Sequence, residues 1–264
     1  MYDFTYHRPS SLDDAAVAIK GAGDGTFLAG GQTLLPILKL RLANPSDVVD
    51  LGSIAELKGI TVDGDTVTIG AMTPHAEVAG SADVCAKIPA LADLAESIGD
   101  LQVRNRGTIG GSIANNDPAA DYPAAVVGLG ATVHTNARTI AADDFFTGLL
   151  ETALNDGEII TAVSFPVPDK AAYQKFGNPA SRYAIVGVML SSGSAGVRVA
   201  ITGAGPCVFR QGDMERALAG SFSADAVAGV TVSADGLNSD IHASAKYRAH
   251  LVGIMAKRAV AACA

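Results

Sequence analysis

The sequence predicts a mixed helix-and-strand chain organised as two or three modest domains, on three observations. Its 264 residues exceed one average domain, and a 48% hydrophobic composition supplies real cores. Short apolar strand-like runs alternate with helix-like segments from the N-terminus onward. Two prolines, Pro166 and Pro168, interrupt that alternation and predict a boundary near residue 168.

Ser10 or Ser11 caps a first helix, with Asp13 and Asp14 in its opening turn and Gly21 and Gly23 near its end. "GTFLAGG" reads as a strand running into a glycine corner. "LLPILKLRL" reads as a helix with Pro36 in its first turn, and "DVVDLG" as a strand. These pieces make a βαβ unit ending near residue 55. "ITVDGDTVTIG" predicts a hairpin turning at Asp63-Gly64. Ile88, Leu91, Leu94 and Ile98 recur at helical spacing and stop at Gly99. The stretch from Asp100 to Ala124 is rich in turn formers and polar groups. "PAAVVGLG" follows as a helix, then strands at "ATVHTN" and "EIITAVSFPVP". Beyond the boundary, "SRYAIVGVML" and "GVRVAITGAG" are strand-like and "GDMERALAG" is a helix. The final long helix places Tyr247, Leu251, Ile254 and Met255 on one face.

Nineteen basic residues against 27 acidic ones leave a net charge of -8, which argues against a nucleic-acid or anionic-membrane surface. An anionic cofactor remains compatible if backbone amides supply the attraction. Cys85, Cys207 and Cys263 are far apart and form no CxxC pair, so they offer neither a zinc nor an iron–sulfur site and read as free thiols. The five histidines show no ligand spacing. The polar N-terminus lacks an apolar signal core, and no run of about 18 apolar residues exists to span a membrane. The expected location is cytoplasmic.

The chemistry concentrates at two glycine corners, Ala29-Gly30-Gly31-Gln32-Thr33 and Thr108-Ile109-Gly110-Gly111-Ser112. Glycine lets a ligand touch the main chain and permits the positive φ that turns successive N–H groups inward. Each pair alone also reads as a tight turn. Two pairs bordered by Thr or Ser, each joining strand-like segments, leave tight turn and phosphate seat as open alternatives. No GxGxxG, GK dipeptide, HExxH or plausible GxSxG accompanies them.

"AGGQTLLP" followed by "TIGGSIANNDPAADYP" resembles the paired signature of the FAD-binding medium subunit of molybdenum hydroxylases, a group including carbon monoxide dehydrogenase and xanthine dehydrogenase. The likeness continues through "YQKFGNPASRYAIVGV" and "DIHASAKYRAHL". It implies an α+β fold similar to that of p-cresol methylhydroxylase and vanillyl-alcohol oxidase. Two FAD-binding subdomains, here residues 1–55 and 56–168, would clasp the cofactor, and a smaller antiparallel α+β domain would occupy 169–264.

The resemblance also implies cofactor-binding positions. Ala29, Gly30, Gly31, Gln32, Thr33 and Leu34 form the first pyrophosphate loop. Thr108, Gly110, Gly111, Ser112, Asn115 and Asp117 belong to the second. Asp121 is expected to hold hydroxyls of the cofactor chain, as a carboxylate accepts two bonds from a diol; a plain helix-start charge is the alternative. Ile98 falls where the family packs a side chain on the isoalloxazine, Ile160 near adenine, Lys175 on a family lysine close to the cofactor, and Tyr183 at the flavin border. Gln32 stands where some relatives carry histidine or asparagine.

The implied activity is that of an oxidoreductase subunit, with FAD as the only cofactor in this chain. A large molybdopterin-binding subunit and a small subunit with two [2Fe–2S] clusters would be its partners, in a dimer of heterotrimers. Electrons would pass from the clusters to FAD and then to an external acceptor. No acid–base dyad is required, and none is evident. A stand-alone FAD oxidoreductase of the same fold and a non-catalytic nucleotide-binding module are the rival readings.

Overall fold

The computed structural model describes residues 1–263. The N-terminal part contains β1 (Thr5–His7), α1 (Leu12–Gly21), β2 (Gly25–Leu28), α2 (Leu34–Lys39) and β3 (Asp47–Asp50). The strands form a parallel sheet in the order β1-β3-β2. Ser11 caps α1 by accepting the Asp14 amide, with Asp13 and Asp14 in the first turn, where their charge favours the helix start. Parallel strands need crossover connections, and α1 and α2 are those connections. Ala15, Val49, Leu51, Ile54 and Leu57 pack beneath this sheet with Met72 and Ile159.

The middle part begins with a hairpin of β4 (Ile60–Asp63) and β5 (Thr66–Gly70). Its two turn residues are Gly64 and Asp65, one step later than expected, because Asp63 already pairs with Thr66. Gly64 takes φ +56, a backbone state that favours glycine. Helices α3 (His75–Gly80), α4 (Ala82–Lys87), α5 (Pro89–Glu96), α6 (Leu101–Arg104), α7 (Ile109–Asn115) and α8 (Tyr122–Gly128) follow. The chain then adds β6 (Thr132–Thr135), β7 (Thr139–Ala141), α9 (Ala142–Phe145), β8 (Phe146–Gly148), β9 (Glu151–Thr152) and β10 (Ile160–Pro166). An antiparallel sheet forms in the order β4-β5-β10-β6-β7, with β8 and β9 a separate hairpin. Ile88, Leu91 and Leu94 are fully buried in the middle core, as the helical spacing requires.

Beyond residue 168, β11 (Lys170–Gly177), β12 (Ala184–Gly193), β13 (Gly196–Thr202) and β14 (Phe209–Arg210) form an antiparallel sheet in chain order. Helices α10 (Gly212–Gly220), α11 (Ala224–Ala228) and α12 (Ala245–Ala262) complete the chain. β12 is buried at every residue from Ala184 to Ser191 because both of its faces are covered. Val186, Val188 and Leu190 face the helix side with Leu251, Val252 and Met255 of α12, while Met189 joins the middle core.

Three sequence expectations need correction. The stretch Asp100–Ala124 is largely helical, so Gly110 and Gly111 lie in the first turn of α7 rather than between strands. Of the four corner glycines only Gly31 has positive φ, at +77°. The buried face of α12 is led by Arg248, Leu251, Val252 and Met255, whereas Tyr247 is exposed and Ile254 only half-buried. Arg248 is accommodated because its Nη1 donates to the carbonyls of Ile185 and Gly203 and its Nη2 pairs with Asp240 at 2.7 Å.

Candidate functional site

A cleft of about 480 Å³ opens between the parallel sheet and the middle layer. Ala29, Gly30, Gly31, Gln32, Thr33 and Leu34 line one wall. Thr108, Gly110, Gly111, Ser112, Asn115, Asp117 and Asp121 line the facing one, and Ile98, Ile160 and Tyr183 complete it. Among the predicted site residues only Lys175 does not line the cleft.

The corners meet because they lack side chains. A Cβ on Gly30 would stand 1.9 Å from the Arg106 carbonyl oxygen and 2.8 Å from Gly107 Cα. A Cβ on Gly111 would come within 3.1 Å of Ala29 Cβ, so α7 and the first loop pack directly together. Gly110 instead seats α7 on the middle sheet. A Cβ there would lie 2.7 Å from the Ala71 carbonyl oxygen, to which the Gly110 amide donates at 2.9 Å.

The corners differ in what they offer. Among the described residues, the amides of Gly31, Gln32, Thr33 and Leu34 donate to no protein group, which makes a run of unspent main-chain donors on the cleft wall. At the second corner Ile109 donates to Thr73, Gly110 to Ala71, and Gly111 and Ser112 to the hydroxyl and carbonyl oxygens of Thr108. The two corners therefore do not present the same set of open amides. The second corner supplies close approach, its cap and the Thr108 amide; the first supplies the free donors.

Asp121 opens onto the cleft and is nearly buried. Its Oδ1 accepts the Tyr173 hydroxyl at 2.5 Å and pairs with Lys175 Nζ at 3.0 Å. Burial raises its pKa, and Lys175 and Tyr173 pull against that rise. Both contacts fall on Oδ1, so Oδ2 carries no protein hydrogen bond. Lys175 also donates to the Ser97 carbonyl at 2.9 Å, beside Ile98. It serves the cleft through Asp121 and Ser97 rather than by lining it. At the rim, Arg182 donates to the Gly99 carbonyl at 3.0 Å, and Tyr183 is half-exposed with its pKa raised, chiefly by burial.

Among the cleft residues that sequence reasoning did not single out, two are ionisable and nearly buried, Glu158 and His75. Glu158 accepts from Arg138, Thr135 and Asn155, and the Arg138 hydrogen bond leads in pulling its pKa down to about 2. His75 is 4% exposed, stacks obliquely on Tyr122 and lines the cleft. A lone histidine in "TPHAE" carries no signal that distinguishes it from any surface histidine.

A family described as the FAD binding domain in molybdopterin dehydrogenase matches residues 2–168. The chain belongs to this FAD-domain family. The similarity extends beyond the matched segment. The medium chain of carbon monoxide dehydrogenase from Hydrogenophaga pseudoflava is 37% identical over 97% of this chain and 96% of its own length. The nicotine 6-hydroxylase medium subunit of Paenarthrobacter nicotinovorans is 36% identical over 97% and 95%. The solved structure of reconstituted CO dehydrogenase from Oligotropha carboxidovorans superposes with a TM-score of 0.91 at 34% identity, covering 99% of this chain and 97% of that one.

The cleft suits the cofactor that the FAD-domain family is named for. A diphosphate linker needs donors without bulk, and the free amides at 31–34 beside Gly30 and Gly111 provide them. The polyol and ring portions need acceptors and apolar walls, and Asp121, Ile98 and Ile160 provide those. Among the described residues no group of three or more His, Cys, Asp or Glu is placed to hold a metal ion. No helix among them is long and apolar enough to cross a membrane.

Proposed function

We propose that this chain is the FAD-carrying electron-transfer subunit of a multi-subunit molybdenum hydroxylase. The observation that carries the reading is the direct packing of two glycine bends, 29–33 and 108–112, around a cleft whose first wall keeps four amides unspent. The diphosphate would sit on the amides of Gly31 to Leu34, with Gly111 and Ser112 opposite. Asp121 would hold cofactor hydroxyls through Oδ2, its other oxygen being fixed by Tyr173 and Lys175. Ile98 and Tyr183 would border the isoalloxazine, and Ile160 the adenine. When bound, FAD supplies the exchange of electrons between one-electron carriers and a two-electron acceptor. The protein's own work is to bind, orient and shield it.

The names of the relatives, medium chain and medium subunit, support partners on either side of the electron path. A large molybdenum-cofactor subunit and a small subunit with two [2Fe–2S] clusters are the proposed partners, in a dimer of heterotrimers in the cytoplasm. Electrons would enter from the clusters and leave to an external acceptor. The p-cresol methylhydroxylase-like division into 1–55, 56–168 and 169–264 belongs to the same proposal, supported by the fact that no sheet crosses a boundary between these segments.

The test is a titration of the purified full chain with FAD, followed by addition of the co-expressed partner subunits and their substrate. One FAD per chain with flavin absorption bands, reduced only when the partners are present, is the expected result. No uptake at saturating FAD overturns the reading. Reduction by a small substrate without partners would assign a stand-alone oxidoreductase instead.

A further inference from the structure

His75 holds the first position of α3, where its amide donates to the Gly107 carbonyl at 2.9 Å. Its ring is wedged between Tyr122, at 5.2 Å between centroids, and Gly107, where a Cβ would stand 2.6 Å from Nε2. Nδ1 is buried and has no hydrogen-bond partner. Among the described residues Nε2 bonds to no protein group either, yet it is not enclosed, and the residue lines the cleft. A buried polar ring with neither nitrogen paired is costly unless something outside the protein pairs one of them.

The tautomer follows from the surroundings. A proton on Nδ1 would be a buried N–H with nothing to receive it, the rarer and more expensive orphan. A proton on Nε2 is instead on the nitrogen that is not enclosed, in a residue that lines the cleft. The charged group bearing on the ring is Arg104, whose guanidinium pairs with Glu96 and donates to the Ile98 carbonyl. Burial foremost, with Arg104 adding to it, keeps the imidazole neutral, with a pKa of about 4. Tyr122, on the other side, is uncharged, since burial raises its own pKa.

We propose that His75 is a cofactor-binding residue whose Nε2–H donates to an acceptor atom of FAD at the Gly107 side of the cleft. This rests on the FAD reading above and adds to it a donor outside both glycine loops. The ring is held by packing before the ligand arrives, so its hydrogen bond comes with little ordering cost. The histidine is thus kept at some expense to the empty protein.

That expense separates the proposal from a structural role. In the full-length chain, His75→Phe removes both unpaired nitrogens and retains an aromatic ring against Tyr122. It is expected to bind FAD about tenfold more weakly, the upper end for one ordinary hydrogen bond. The FAD-free variant should melt no lower than wild type. His75→Gln, which restores an N–H donor, should bind within about threefold of wild type. Nitrogen-15 NMR of the wild-type imidazole provides a readout that depends on no variant: Nε2 should carry the proton, and its resonance should move on FAD addition. Unchanged FAD affinity in His75→Phe, equal loss of affinity in both variants, or a proton on Nδ1 overturns the assignment while leaving FAD binding intact. Failure of the wild-type chain to take up FAD would instead remove the functional reading itself.

Discussion

Gly30 and Arg106 meet backbone to backbone, with the place of a Gly30 methyl group only 1.9 Å from the Arg106 carbonyl oxygen. No rotamer relieves such a clash, because both partners are main chain. Gly30→Ala is expected to cost at least about 3 kcal/mol of stability and to abolish FAD uptake. Gly111→Ala faces milder contacts of 3.0 and 3.1 Å, to Thr108 Oγ1 and Ala29 Cβ, which a shift of a few tenths of an ångström relieves. It should cost under about 1 kcal/mol. Urea denaturation of the two variants, side by side, checks the contrast. Equal effects would show that the closeness of the bends is unimportant.

Lys175 is the cationic partner of a nearly buried carboxylate. Lys175→Met leaves Asp121 with only the Tyr173 hydroxyl, and should destabilise the chain by about 3 kcal/mol. The Asp121 pKa, already raised by burial, would rise further. Lys175→Met combined with Asp121→Asn should recover much of the loss, as the stranded charge is gone. A double-mutant cycle by denaturant unfolding measures this coupling. Strict additivity would refute it.

Acid should weaken the fold through His75. Its folded-state pKa of about 4 lies below the ordinary 6.5, so the unfolded chain binds the proton first as pH falls. The stability is complete above pH 6.5, is lost progressively down to about 4, and levels off below. Unfolding free energy at pH 5 should be about 2 kcal/mol lower than at pH 7. In His75→Phe this part of the dependence should vanish. Glu158, with its pKa drawn from 4.5 down to about 2, loses its contribution as pH falls between those two values, a more acidic window than that of His75.

Arg248 ties α12 to the C-terminal sheet through the Ile185 and Gly203 carbonyls, at 2.7 and 2.8 Å. Arg248→Met keeps the apolar stem but strands both acceptors, with an expected cost of about 2 kcal/mol. Asp240 is open enough to water to be rehydrated. Thermal melting checks the prediction. FAD affinity should remain unchanged, because the residue lies outside the cleft.

The sequence carried the elements whose signals are local. Ser11 with Asp13 and Asp14 marked α1, and the spacing Ile88-Leu91-Leu94 marked α5, because capping and helical period are written in neighbouring residues. β1 was missed: three residues, Thr5–His7, form a strand only by pairing with Asp47–Val49 far along the chain. α7 was hidden by its glycines, which weaken helix propensity; Gly110 is needed where the Ala71 backbone presses against it. The resemblance placed the two glycine bends, Asp121 and part of the remaining cleft lining. It missed His75, because the unpaired state of a ring nitrogen is a property of surroundings drawn from α6, α8 and the Gly107 loop.

Lys175 and Arg182 reach Ser97, Asp121 and Gly99 from beyond residue 168. A polypeptide cut where the matched FAD-domain segment ends would keep both bends and still lose the counter-charge under its acidic wall and the latch at its mouth. Anyone paring this subunit down to a minimal flavin carrier must therefore retain the second half of the molecule or supply a graft for it.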